Sequence, residues 1–219
     1  MRTSGRDVLK VLVRSTAALV CVLALASCSS GNSEAKAANP CGISPTSEEA
    51  ALVRELLGTE NFETKSYRTT SRLVDEFGRA LPNLSPDKHI FYTHACEYGT
   101  DDARMTFAPG WFLRAAEVPS FPGESTYSLN GARGVTSNSR STLLVQCDMP
   151  GELRAQSQKV WLTSDTSYTF SPSRPDADQG ARDRRMTLTY LMAQRIAEAL
   201  GCENKPLEQP PVVKPLPTP

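Results

Sequence analysis

Histidine and tryptophan are scarce in this chain, with two of each among 219 residues, and the familiar catalytic signatures are missing. His89 and His94 stand five apart, so they are not the HExxH pair that puts two metal ligands on one helical face. No GxSxG nucleophile elbow occurs, and no glycine-rich loop is present to cradle a phosphate. No two cysteines have CxxC spacing, which removes the usual local half-site for zinc. No apolar run approaches the roughly 20 residues that a membrane-spanning helix needs. On these grounds no catalytic residue, metal or cofactor is assigned, and the chain reads as more a binding protein than an enzyme.

What is present begins with a leader. Arg2, Arg6, Lys10 and Arg14 make a basic start, Ala17 to Ala26 is almost continuously apolar, and small residues follow. Leu25-Ala26-Ser27-Cys28 resembles the lipobox of bacterial lipoproteins. That resemblance implies cleavage before Cys28, a diacylglyceryl group on its sulfur, and palmitate-type acylation of the new terminus. Residues 1–27 are thus expected to be a signal peptide, and 28–40 a lipidated cysteine with a flexible tether. The expected address is the outer face of the cell membrane. Without residues 1–27 the chain keeps 20 Lys+Arg against 23 Asp+Glu, a net charge of −3. That balance gives no electrostatic case for nucleic acid, so the expected contacts are the membrane, through the lipid, and an envelope protein or wall component.

Export changes the meaning of the other cysteines. Cys21 leaves with the leader and Cys28 is taken by the anchor, so Cys41, Cys96, Cys147 and Cys202 remain. An even number in an exported domain points to two disulfides. Three pairings are open. The preferred one is Cys41–Cys96 with Cys147–Cys202, in which each half closes its own bridge across 55 residues.

The folded unit is expected over residues 41–203, large enough to bury roughly 70% of its unfolded surface. Thr46 and Glu49 have capping-box spacing ahead of Leu52, Val53, Leu56 and Leu57, with Gly58 as the stop. A closing helix is expected from Asp183 to Leu200, with Leu188, Met192, Ile196 and Ala199 on one stripe. Between them the pattern is β. Ile90, Tyr92, His94, Cys96 and Tyr98 alternate onto one face, and Pro109-Gly110 reads as a hairpin turn between Arg104–Ala108 and Trp111–Ala115. Ser141–Cys147 and Lys159–Phe170 supply two more strands, while residues 62–77 mix strand and helix signals. The expected class is α+β: an antiparallel sheet of about five or more strands, with an N-terminal and a C-terminal helix packed on one face. Residues 204–219, with six prolines, are expected to form an extended or disordered tail.

Asn39-Pro40-Cys41-Gly42, Leu57-Gly58-Thr59, Ala95-Cys96-Glu97 and the ending Ala199-Leu200-Gly201-Cys202 together resemble small lipoproteins and secreted proteins of Streptomyces-type actinobacteria. The Pro-Cys opening before a helix is loosely similar to lipoproteins of the domain-of-unknown-function 3558 type. The resemblance implies an exported, disulfide-linked α+β domain and carries over no catalytic residue.

Three functional expectations follow. The first is a lipid-anchored, non-catalytic binding or accessory module, with Trp111, Phe112 and Trp161 as a candidate groove. The second is an envelope hydrolase built around His94 with Glu97 or Asp101. The third is a carrier of an apolar molecule, which requires a cavity between sheet and helices.

Overall fold

The structure is a computed structural model that describes residues 39–117, 123–171 and 176–216. The expected signal peptide, Cys28 and residues 29–38 of the tether lie outside the described residues. The described residues all belong to one unit.

Its chain order is α1 (Glu48–Leu57), β1 (Glu63–Ser66), α2 (Thr70–Ala80), β2 (Ile90–Tyr92), β3 (Cys96–Gly99), β4 (Ala103–Leu113), β5 (Ser125–Leu129), β6 (Ala132–Thr136), β7 (Arg140–Val145), α3 (Arg154–Ser157), β8 (Val160–Phe170) and α4 (Gln179–Leu200). The eight strands form one antiparallel sheet in the order β1-β3-β4-β8-β7-β6-β5, with β2 also paired to β4. This is the α+β class, with more strands than the minimum expected. The ambiguous residues 62–77 contain both of their signals, first the short strand β1 and then most of α2.

Helix α1 starts one residue later than the spacing suggests. The Ser47 hydroxyl accepts from the Ala50 N–H, whereas Thr46 Oγ1 contacts Ser44 Oγ, and Gly58 closes the helix at φ 71°. Helix α4 starts earlier than expected, because the Asp178 carboxylate accepts from the Ala181 N–H at 2.6 Å and caps an added turn. Its Leu188, Met192 and Ile196 are buried against the sheet with Val53 and Leu57 of α1 and Phe77 of α2. The strands answer with Phe107 and Trp111 of β4, Leu143 of β7 and Leu162 of β8. Two disulfides, Cys41–Cys96 and Cys147–Cys202, fix the ends of this layer, in the preferred pairing. Bridges of this kind mark an oxidising, extracytoplasmic environment.

Pro109-Gly110 is not a turn. β4 runs straight through it, opposite Ser164 and Thr163 of β8. The Pro109 carbonyl accepts from Thr93, so its missing N–H faces the junction between β2 and β3, where the ladder is interrupted. Gly110 is required there, since a Cβ at this position would lie 1.8 Å from the Phe91 carbonyl oxygen. The interruption also corrects the expected alternation over residues 90–98. Partner numbers slip by one between Ile90↔Phe112 and Cys96↔Phe107. This bulge sends Ile90 and Tyr92 to the sheet face away from the helices, and Cys96 and Tyr98 to the helix side.

The proline-rich end is a second correction. Residues 204–216 lie against the domain: Tyr190 Oη donates to the Gln209 carbonyl at 2.8 Å, Leu207 is buried, and the Leu216 N–H donates to Thr126 of β5 at 2.7 Å. Leu207 and Val213, together with these hydrogen bonds, hold a segment whose composition reads as disordered. Among the described residues, no helix is long and apolar enough to cross a membrane.

Glu76 ties α2 to the β2–β3 junction. Its carboxylate accepts from Arg68 Nε, Arg72 Nε and Thr93 Oγ1 at 2.8–3.1 Å. Burial opposes its ionisation, but those three donors outweigh burial and hold the carboxyl below its usual 4.5. A group with a depressed folded pKa contributes stability above its unfolded pKa, and that contribution disappears as the pH falls through the folded value. Replacing Glu76→Gln is expected to cost about 1 kcal/mol at neutral pH. In urea titrations across pH, the gap from the parent should close in acid below 4.5. A gap independent of pH would overturn the assignment.

Candidate functional site

The sheet face opposite the helices carries the site. Alternation along β4, β7 and β8 assigns Gly110, Phe112, Thr142, Leu144, Thr163 and Asp165 to this face. A two-layer fold leaves such a face to solvent, yet Phe112, Leu144, Thr163 and Asp165 are all buried. Ile90 and Tyr92 of β2, Val135 of β6 and Arg140 of β7 stand around them and enclose a cavity of about 250 Å³. The β2–β3 bulge is what brings Ile90 and Tyr92 to it.

One part of the cavity is apolar, formed by Ile90, Phe112, Val135 and Leu144. The other is polar and built on a buried charge. Asp165 Oδ2 accepts from Arg140 Nε, and from Thr142 Oγ1 at 2.8 Å. Burial pushes the Asp165 carboxyl above the usual aspartate range, and Arg140 and Thr142 offset this only in part. Burial alone would lower Arg140, but Asp165 more than compensates and keeps the guanidinium charged. The Tyr92 phenol adjoins Arg140 and Thr163, and its pKa is raised mainly by burial. Thr163 is fully buried, and its hydroxyl completes no hydrogen bond of normal geometry. The arrangement offers donors beside an apolar surface. Its hydroxyl–carboxylate pair is Thr142 with Asp165, and that carboxylate is also held by Arg140.

The aromatic groove expected from sequence is divided between the two faces. Trp111 is fully buried on the helix side, where its Nε1–H donates to the Phe77 carbonyl at 3.1 Å and its ring meets Phe77 edge-on. Phe112 lines the cavity. Trp161 is its cross-strand neighbour, with Arg114 stacked 3.9 Å over the ring. Alternation in a strand sends adjacent residues to opposite faces, so Trp111-Phe112 could not act together. His94 is exposed at the β2–β3 junction and lines none of the five cavities described; His89 is exposed, edge-on to Phe112. Ser85 and Lys88 have Ser-x-x-Lys spacing, but they form a tight turn in which Ser85 Oγ accepts from the Lys88 N–H. Among the described residues, no group of three His, Cys, Asp or Glu side chains is placed to hold a metal.

Tyr92, Arg140, Thr163 and Asp165 were not singled out by sequence. A signal existed in Thr163-Ser164-Asp165-Thr166-Ser167, five polar residues at the centre of an otherwise apolar and aromatic strand. A second cavity, of about 350 Å³, lies where β1, β3 and β4 meet. Its Glu97 is already held by Lys65, Arg104 and the Tyr67 hydroxyl, so it is a charge-paired surface. No family model, curated protein or solved structure matches the chain.

Proposed function

We propose that the chain is a lipid-anchored extracytoplasmic module of the cell envelope that binds its ligand without transforming it, through the cavity of Ile90, Phe112, Val135 and Leu144. The observation that carries this reading is a recess sunk into the non-helical sheet face, with an apolar wall of Ile90, Phe112, Val135 and Leu144 beside the Arg140–Asp165 ion pair. Small-ligand sites are usually recesses of this kind, mainly apolar with a few convergent polar groups. The lipobox-like Leu25-Ala26-Ser27-Cys28, the two disulfides and the resemblance to actinobacterial lipoproteins support the address. A hydrolase centred on His94 has less support, since that side chain is exposed and in none of the cavities described. Carriage of an apolar molecule between sheet and helices has less still, because Phe107, Trp111, Leu162, Leu188 and Met192 fill that space.

Native mass spectrometry of the full chain from its own host tests the reading. The parent should carry an added small-molecule mass, and Val135→Trp, which fills the cavity from a half-buried position, should lose it. Retention of the same mass by the variant would remove the cavity from the function.

A further inference from the structure

Resting on that reading, we propose that the cavity takes a small organic cation: a compact apolar group that bears one ammonium. The charges around the recess decide its sign. Arg140 is answered within the protein, since Asp165 accepts from its Nε and the Tyr92 phenol is hydrogen-bonded to it. Thr142 also gives its hydroxyl proton to Asp165, so that carboxylate is spent. Glu124 is different. It is half-buried, it lines the cavity, and it has no hydrogen bond or ion pair among the described residues. Arg140, Asp165 and Glu124 together therefore leave one negative charge uncompensated.

The apolar wall is a second, independent part of the argument. Ile90, Phe112, Val135 and Leu144 line the same recess as that carboxylate, and the rings of Phe112 and Tyr92 favour an organic cation over a strongly hydrated metal ion. An incoming carboxylate would meet Glu124 with Arg140 already matched by Asp165. A neutral molecule would cover the wall and leave Glu124 unpaired. An ammonium on a hydrocarbon stem does both: the stem covers the wall and the positive head pairs with Glu124. At about 250 Å³ the space is just below the usual range for drug-sized ligands, which fits a single ring or a short branched chain.

Benzylamine, benzyl alcohol and benzoate share one ring and differ in the charge of the head group, which makes them suitable probes. Ligand-observed saturation-transfer NMR on the full chain should show benzylamine binding with a dissociation constant on the order of 1 mM. Benzyl alcohol should bind about fivefold more weakly, and benzoate more weakly still. Glu124→Gln keeps the side-chain shape and breaks no described bond; it should bring benzylamine down to the level of benzyl alcohol and leave the alcohol unchanged. Added salt should narrow the same gap. Val135→Trp should abolish binding of all three, and Val135→Met, with a slimmer and flexible side chain, gives the same readout should tryptophan prevent folding. Equal binding of amine and alcohol, or a preference for the amine that survives Glu124→Gln, with the Val135 variants blocking both, would overturn the cation inference and leave the cavity as a binding site. Absence of binding by every probe, or binding indifferent to the Val135 variants, would overturn the site itself.

Discussion

Full-length protein carrying Cys28→Ala is expected either to be released into the medium or to persist as an uncleaved precursor without lipid. The size of the effect follows from acyl-chain energetics. Each buried methylene contributes about 0.8 kcal/mol, and two chains on one residue turn marginal attachment into stable anchoring. No described helix is long and apolar enough to cross a bilayer, and the chain without its leader is net acidic. Fractionation measures the outcome, and mass spectrometry of the parent N-terminus should find diacylglyceryl-cysteine at position 28. An unmodified mature N-terminus elsewhere, or an alanine variant that is cleaved and still stays with the membrane, would overturn the anchor.

Removing either disulfide as a pair of alanines is expected to lose about 2–5 kcal/mol. Each bridge closes a segment of 55 residues, for which chain entropy alone gives about 4 kcal/mol. The segments 41–96 and 147–202 do not overlap, so the two losses should nearly add. Their sum is comparable with the whole stability of an ordinary domain, about 5–15 kcal/mol. The variant lacking all four thiols should therefore unfold near physiological temperature. All four cysteines are buried, so no exposed contact compensates. Cys147–Cys202 has a further consequence: it joins the end of β7 to the end of α4, just where Glu203 donates to the Asp148 carbonyl and the C-terminal segment begins. Its removal should loosen residues 204–216 first, visible as faster amide exchange there, with free-thiol titration confirming that the parent is fully oxidised. Parent protein from its native host with four free thiols would overturn both the pairing and the oxidising address.

The elements legible in the sequence were those in which one physical rule acts alone. Helices α1 and α4 have a repeating apolar face and a glycine at the end, and both formed, with cap positions shifted by nearby side chains such as Asp178. Strands β7 and β8 follow from β-branched and apolar runs. The failures came where two rules compete. Pro109-Gly110 has turn chemistry, but β8 pairs along its whole length and the β2–β3 bulge absorbs the missing donor. The hairpin with the strongest local signal was elsewhere, at Asn130-Gly131, both with positive φ between β5 and β6. The candidate cavity was hidden because a one-residue slip near His94 decides which face Tyr92 joins, and no spacing in the chain displays that slip. The docking of 204–216 rests on single contacts, such as Tyr190 with Gln209, that composition does not reveal.

The way the C-terminal segment meets β5 limits how copies of this protein can associate. An open sheet has two rims, and strand-by-strand stacking into filaments needs both. Here Pro215 bridges Tyr127 and the Leu216 N–H donates to the Thr126 carbonyl on the β5 rim. A strand arriving at this rim meets a carbonyl already bonded and a proline beside it, which disfavours pairing between copies through β5.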